Sequence, residues 1–421
     1  MTKIRLAYLV SQYPAISHTF ILHEIRTLRR LGFEISVASI NAPDRRKEQL
    51  TAKEREEATN TFYVKPAGIT GAAKAHLSTV LTQPLRYLRG LFFALSLGKF
   101  DFKKMLYGFL YFVEAVMIGH WMRQQQFSHL HLHFGMAAAT VGLIANRTFH
   151  ITFSMTIHGP DEFYDTPGNY LPQKILDAAF IRCPAHFARS QLMKLSTYDN
   201  WKKMEYCRLG VNPSMFAPRP FRQHPEPFEL LCVGRIVPAK GQFILVEAAT
   251  RLIAQGYQLR LRLVGDGPDR QGLETEVVRR GLTEQIIFEG SVNQEHILDL
   301  YNQTDVFVLA SFAEGLPVSL MEAMIMEIPC VTTNITGIPE LITSGKEGIL
   351  VAASDIDALA DAIALLMDNP DLRRQIGEAS RLQILERYEL QKNTEWLADI
   401  FRRRLSQETD INSTNQLEIK K

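Results

Sequence analysis

The sequence predicts an α/β protein built from two doubly wound domains. Three observations carry this. The chain opens strand–helix–strand over residues 4–39, and strands and helices alternate again from residue 229 to about residue 367. At 421 residues it is too long for one ordinary core. A proline-rich stretch without periodicity, Pro213 to Pro227, separates the halves and reads as a linker. The resulting division is 1–213, a linker 214–227, 228–390, a closing helix 391–405 expected to pack on the first domain, and a polar tail 406–421 expected to be disordered.

Composition narrows the class. Hydrophobic content of 46% and charge of 22% are those of a folded globular protein. A net charge of +2 with scattered basic residues argues against a nucleic-acid partner. The cysteines, Cys183, Cys207, Cys232 and Cys330, form no C-x-x-C pair, so neither a zinc site nor a disulfide framework is indicated. Buried thiols in a reducing compartment are expected. The chain starts almost directly with a strand, Ile4 to Val10, so no signal peptide is expected and a cytoplasmic location is.

That strand leads into the loop Ser11–Ser17. A helix follows, with Ile21, Ile25, Leu28 and Leu31 on one face; Gly32 ends it, and Phe33–Ser39 forms the second strand. Residues 43–80 carry no clear period. From Pro84 to Phe112 cations (Arg86, Arg89, Lys99, Lys103, Lys104) interleave with leucines and phenylalanines. Such a stretch suits either an anionic membrane surface or a helix that buries its apolar face. Met105–Met122 is apolar and about long enough to span a membrane, but Glu114 at its centre and the strand that follows favour a helix buried on a sheet.

His129, His131 and His133 alternate and share one face of a strand. No carboxylate or cysteine follows them at ligand spacing, so a polar strand end is preferred to a metal site. The strand Ile151–Ile157 ends in Thr156-Ile157-His158-Gly159-Pro160, which puts His158 at a carboxyl end, where such sheets bind ligands. Asp161 is a weaker candidate nearby.

In the second half, the strand Glu229–Gly234 runs into Gly234-Arg235 and then Lys240-Gly241 before a helix. Arg235 and Lys240 supply a forked and a point-charge cation, the donors a diphosphate needs. Gly265-Asp266-Gly267-Pro268 lacks the third glycine and the later acid of a dinucleotide fingerprint. Asp355-Ile356-Asp357 reads as a helix cap rather than a metal motif. Between them, Asp305–Ala310 is a strand, Ser311–Leu316 a loop, and Pro317 the expected first position of a helix reaching about Glu327. The start of that helix suits an anion. Glu314 lies just before it and Glu322 lies about 7–8 Å along its axis.

Glu314 and Glu322 stand as E-x7-E in EGLPVSLME. This resembles the retaining nucleotide-sugar glycosyltransferases of the GT4-type family, whose GT-B fold sets two Rossmann-like domains facing a central cleft. The resemblance is dense over 229–351 and reaches the first loop, His158 and the linker. It implies that Glu322 hydrogen-bonds the donor ribose. Glu314 with the backbone of Gly315 and Leu316 holds the donor sugar. Arg235 and Lys240 neutralise the leaving diphosphate, and His158 joins the active site. Val292, in the loop Gly290–Asn293, meets the nucleobase through its backbone.

The resemblance also implies no metal and no cofactor, with a nucleotide sugar as donor and a glycan or polyprenyl-linked glycan as acceptor. Many members carry a glycine pair in the first loop, where this chain has Pro14-Ala15-Ile16-Ser17-His18-Thr19. Ser17-His18-Thr19-Phe20 is similar to members serving bacterial exopolysaccharide or colanic-acid assembly. A peripheral position at the inner face of the plasma membrane would fit such acceptors. The competing readings are a sugar-nucleotide epimerase on the same fold and a non-catalytic sugar-nucleotide or glycan binding protein.

Overall fold

The computed structural model describes residues 4–418, with the side chains of residues 294–295 and 407–418 outside that description. It divides into two compact units. One runs to Cys207 and includes the chain from Thr394 onward; the other is Arg208–Asn393.

The first unit contains β1 (Arg5–Gln12), α1 (Thr19–Arg30), β2 (Glu34–Asn41), α2 (Ala52–Thr59), β3 (Thr61–Tyr63), α3 (Gly68–Thr82), α4 (Pro84–Ser96) and α5 (Phe102–Gln124). It continues with β4 (His129–His133), α6 (Ala137–Phe149), β5 (Thr152–Thr156), α7 (Asp161–Tyr164), α8 (Leu171–Asp177), β6 (Phe180–Cys183), α9 (His186–Lys194) and β7 (Met204–Tyr206). Its seven strands form one parallel sheet in the order β3-β2-β1-β4-β5-β6-β7. Strands buried on both faces read as continuous apolar runs, as Leu6–Val10 does.

The second unit holds β8 (Phe228–Val233), α10 (Gln242–Ala254), β9 (Leu259–Val264), α11 (Arg270–Arg279), β10 (Ile286–Gly290), α12 (Gln294–Gln303) and β11 (Val306–Leu309). After these come α13 (Val318–Ile325), β12 (Cys330–Thr333), β13 (Ile349–Val351), α14 (Ile356–Asp368) and α15 (Pro370–Arg387). The sheet is again parallel, in the order β10-β9-β8-β11-β12-β13. A last helix, α16 (Leu390–Glu418), carries Leu397, Ala398, Ile400 and Phe401 into the core of the first unit, beside Ile21, Ile25 and Phe33.

Four expectations need revision. Residues 43–80, unassigned from sequence, contain α2, β3 and α3; α2 is set by a capping box in which Thr51 and Glu54 satisfy each other's backbone N–H. The proline-rich stretch is not a free linker. The buried guanidinium of Arg373 donates to the carbonyls of Arg222 and Gln223 at 3.2 and 2.8 Å and lies over Phe221 and Phe228. Residues from Arg208 onward therefore belong with the second unit. Pro317 is the N-cap of α13 rather than its first residue, and the helix stops at Ile325 because Glu327 takes a left-handed conformation, φ +60°. Finally, α16 carries helix through to Glu418 across most of the expected disordered tail: no glycine or proline interrupts it, and propagation costs little once a helix is nucleated. Residues 419–421 lie outside the described residues.

The stretch 84–112 resolves into an antiparallel pair, α4 and α5, packed with α3. Small residues face inward. A Cβ on Gly108 would sit 2.3 Å from the carbonyl oxygen of Ala94, and one on Gly90 would strike the side chain of Thr148. The large apolar residues Leu77, Leu81, Leu85, Phe92, Phe100 and Phe102 point outward instead. The inner end of α5, from Phe112 to Met122, is buried in the sheet core. This helix is long and apolar enough to cross a membrane, but half of its apolar window is packed inside the unit.

Candidate functional site

At the carboxyl edge of the first sheet, a polar chain converges on His158. α1 is amphipathic, and Glu24 falls on its apolar stripe between Ile21 and Ile25, so the carboxylate is buried. The guanidinium of Arg182, inside β6, donates to Glu24 Oε2, and its Nε donates to the carbonyl of Cys207 at 3.0 Å. Burial pushes Glu24 up, but Arg182 and His133 outweigh it and hold the carboxyl well below its usual range. His133 Nε2 lies 3.2 Å from Glu24 Oε1, and His133 Nδ1 lies 2.9 Å from His158 Nε2.

This chain orders the protons. Glu24 is an acceptor, so His133 gives it the Nε2 hydrogen. His133 Nδ1 and His158 Nε2 share one hydrogen between them. Burial lowers the pKa of His158 well below normal, with His133 next in effect, so His158 is neutral. Phe20 and Phe134 pack against the ring, centroids 5.0 and 4.5 Å away.

The other two histidines of the strand are not at a polar strand end. They are buried in a ladder between β4 and β5. His129 bridges Thr152 and Ser154, and His131 bridges Ser154 and Thr156, all at 2.7–3.0 Å. Glu24, His131 and His133 bring ligand atoms within 4.8 Å of one another, so the carboxylate that sequence spacing did not supply comes from α1. These atoms are already used: both nitrogens of His131 meet hydroxyls, and a guanidinium lies on the carboxylate, which repels a second cation.

The important acid after β5 is Glu162 rather than Asp161. Its Oε2 accepts the backbone N–H of His158 and Gly159 at 2.5 and 2.9 Å, and its Oε1 accepts that of Gly135. Burial pushes the carboxyl up to about 7 against the pull of those three donors. Buried Lys174 donates to the carbonyls of Gly135, Met136 and Asn169 and locks the same loops.

The second unit builds its own cluster at the carboxyl ends of β8 and β11. Gly241, φ +62°, lets the loop after β8 press on the loop after β11; a Cβ there would meet the carbonyl oxygen of Ala310 at 2.1 Å. The N–H of Phe312 donates to the carbonyl of Ala239 at 2.8 Å and ties the loops together. Lys240 is thereby placed 2.6 Å from Glu314 Oε1, which Ser311 Oγ also meets at 2.7 Å. Thr336 donates its hydroxyl to the carbonyl of Glu314. The N–H groups of Gly315 and Leu316 have no acceptor among the described residues.

On α13, Glu322 Oε2 is 3.0 Å from the hydroxyl of buried Tyr301. Burial raises its carboxyl to about 7, with the tyrosine pulling the other way. Arg235 is exposed, and its carbonyl accepts Gln242 Nε2 at 2.8 Å. Val292 lies in the turn between β10 and α12. The structure thus gathers Lys240, Glu314, Gly315 and Leu316 at the start of α13. Glu322 stands further along that helix.

Residues 217–383 match the family described as glycosyl transferases group 1. Those residues belong to that family, the GT4 type. This glycosyltransferase is 26% identical over 387 residues to the candidate colanic acid biosynthesis glycosyltransferase WcaL of Escherichia coli (strain K12), covering 86% of this chain and 90% of that one. It is 24% identical over 428 residues to the amylovoran biosynthesis glycosyltransferase AmsK of Erwinia amylovora, covering 96% and 98%. Among solved structures, Anabaena HepE in complex with UDP and glucose superposes with a TM-score of 0.72 at 15% identity, covering 95% of this chain and 99% of that chain. The enzyme therefore has the GT-B fold and is homologous to glycosyltransferases of exopolysaccharide biosynthesis.

Glu24→Gln strands the Arg182 guanidinium, and breaking a buried pair costs about 3–5 kcal/mol. Urea unfolding of the full chain should show that loss in its first transition, and a change below about 1 kcal/mol would mean the pair is not structural. Burial also keeps His129, His131 and His158 neutral when folded, His129 with a pKa near 3. Below pH 6.5 the unfolded chain binds protons that the folded chain does not, so stability falls as pH falls, by up to about 1.4 kcal/mol per pH unit for each imidazole. His23, lowered to about 4 by burial, adds to that fall, while Glu162 and Glu322, both raised to about 7, work the opposite way between 4.5 and 7. Unfolding free energy should therefore drop by roughly 3 kcal/mol from pH 6.5 to 5, and a flat profile would show the imidazoles protonating in the folded state.

Proposed function

We propose that the enzyme moves a sugar from a nucleoside diphosphate to a glycan carried on a lipid, with the anomeric configuration retained, at the cytoplasmic face of a membrane. The observation that supports the donor side is the convergence of Lys240, Glu314 and two acceptor-free N–H groups at the start of α13. Without donor, Lys240 and Glu314 neutralise each other. A diphosphate competes for the ammonium with more charge than one carboxylate carries. Its arrival releases Glu314 to accept hydroxyls of the donor sugar, while Gly315 and Leu316 donate to that sugar.

Glu322, with Tyr301 beside it, takes the ribose hydroxyls, and the backbone of Val292 meets the base. Arg235 and Lys240 stabilise the diphosphate as its bond to the sugar breaks, which is stabilisation of charge where it develops. The acceptor hydroxyl attacks from the same face and passes its proton to the departing phosphate oxygen. His158, hydrogen-bonded to His133, lies on the acceptor's side. Because HepE was solved with UDP, UDP-sugars are the first donors to test.

In the presence of EDTA, one class of nucleotide sugar should raise the thermal midpoint of the enzyme. Glu322→Gln should weaken that donor by about tenfold to a hundredfold, the range for hydrogen bonds to a charged group. If UDP-, GDP-, ADP- and dTDP-sugars all fail to shift the midpoint and none is turned over, the donor site is wrong.

The membrane side of the proposal rests on α3–α5. Their small residues pack inward and their large apolar residues outward, as helices facing lipid do. Exposed Phe100 and Phe102 at the α4–α5 turn stand among exposed Lys99, Lys103 and Lys104, a complement to anionic headgroups. The enzyme should sediment with phosphatidylglycerol vesicles at low salt and be released as salt rises. Phe100→Glu with Phe102→Glu should abolish sedimentation while leaving donor binding intact. Equal sedimentation of the variant would remove this surface from the proposal.

A further inference from the structure

Glu322 differs from Glu314 in what faces it. Glu314 has the ammonium of Lys240 at 2.6 Å. Glu322 stands on α13 among buried Leu320, Met321, Ala323 and Met324, and among the described residues Tyr301 is the one titratable group that bears on its carboxyl. The tyrosine reaches it from α12, wholly buried, with its ring against Phe216 and Phe307. Its hydroxyl meets two oxygens at once, the carbonyl of Ser319 at 3.1 Å and Oε2 of Glu322 at 3.0 Å. A phenol has one hydrogen to give, a carbonyl only accepts, and an ionised carboxylate only accepts. With Glu322 ionised, one of the two contacts is a pair of oxygens with no hydrogen between them, in a buried place where an unmade hydrogen bond is costly. With Glu322 protonated, its O–H donates to the tyrosine oxygen and the tyrosine O–H donates to Ser319, so both contacts are made. Burial acts in the same direction and carries the carboxyl to about 7. The groups that face Tyr301 in turn, Cys232 on β8 and Cys330 on β12, are thiols that burial keeps neutral.

The geometry points to a donor site that its own ligand ionises: Tyr301 is the positioning residue that holds Glu322 as a neutral carboxyl in the free enzyme, and the ribose of the nucleotide sugar drives that proton out. The inference rests on the reading of Glu322 as the ribose residue and adds a proton to it. On binding, the O–H bond of Glu322 breaks and its proton leaves to solvent. The tyrosine O–H turns from Ser319 to Glu322 Oε2. The carboxylate, with room for about four hydrogen bonds, accepts from both ribose hydroxyls as well. Such charge-assisted hydrogen bonds are stronger than neutral ones. Affinity for the nucleotide sugar therefore falls as pH falls, because a proton must be removed before the diol is held, at a cost of about tenfold per pH unit.

The test titrates the full-length enzyme with UDP-, GDP- and ADP-glucose from about pH 5.5 to about pH 9 and follows the one that binds. The diphosphate of a nucleotide sugar has no proton that titrates in this span, so a slope belongs to the protein. Affinity should be level above about pH 8 and fall about tenfold per unit below about pH 6.5. Glu322→Gln should bind more weakly and show no slope. Tyr301→Phe keeps the ring and its packing but loses the hydroxyl that pulls the carboxyl down. Its bend should lie about one pH unit higher, the worth of a hydrogen bond to a charged group, so its deficit shrinks as pH rises. A tyrosine that merely packs would lower affinity by the same factor at every pH. Affinity independent of pH in wild type, or a slope that survives in Glu322→Gln, overturns the proposal. Failure of all three nucleotide sugars to bind at any pH removes the donor-site reading itself, and infrared spectra of the free enzyme then judge the carboxyl alone. At about pH 6 wild type should show a stronger protonated-carboxyl band than Glu322→Gln, and equal bands overturn the neutral state.

Discussion

The direction of the strands governs everything else in this molecule. All thirteen named strands lie in two sheets whose pairings are parallel, so in each unit the carboxyl ends of the strands and the starts of the following helices share one edge. Parallel sheets are covered on both faces, and the edge where loops collect is where polar chemistry concentrates. Charges at that edge are partly desolvated, and a desolvated charge needs a partner. Glu24 with Arg182 in the first unit and Lys240 with Glu314 in the second are both answers to this requirement. They differ in depth. Glu24 and Arg182 are wholly buried and serve as an anchor, whereas Lys240 keeps a fifth of its side-chain exposure and can exchange its partner.

What the sequence made legible was local. The strand–loop–helix around Glu314 and Glu322 is a contiguous run, and its fold and its resemblance could both be read from it. The α1 face and the turn after β5 were likewise within one segment. The partners were not legible, because they come from residues far apart in sequence: Glu24 meets Arg182 across 158 positions and Lys240 meets Glu314 across 74. Two clues were nevertheless present. Glu24 sits on the apolar stripe of α1, and Arg182 interrupts a buried strand; a charge in either place announces a buried partner. Asp161 drew notice because it follows the Gly-Pro turn, but α7 points the next residue, Glu162, at the free N–H groups of the loop.

β4 and β5 pair so that His129, His131 and His133 face Thr152, Ser154 and Thr156 in register. A hydroxyl both donates and accepts, so each can serve a ring nitrogen on either side without requiring a charge. The ladder spends the hydrogen-bonding capacity of two histidines and leaves only His133 open at its end, toward His158 and Glu24. In low dielectric such a chain is stiff, since every member left unpaired would be costly. The His158 ring is therefore held from the sheet by His133, while Glu162 holds its backbone.

The connection between β3 and β4 departs from economy. A parallel crossover needs one helix, and here α3, α4 and α5 occupy it. If the extra helices existed only to cover the sheet, their large residues would point at it. Instead Gly90, Ala94 and Gly108 form the contacts, and phenylalanines and leucines face out. Apolar side chains turned to water weaken a soluble protein's case for keeping them. The arrangement leaves the outer end of α5 bare while its inner end is packed. A cavity of about 570 Å³ beside α3 and α5 is then a consequence of the same construction: helices drawn together through glycine and alanine stand off from the strand ends, and the space between them is apolar because both its walls are.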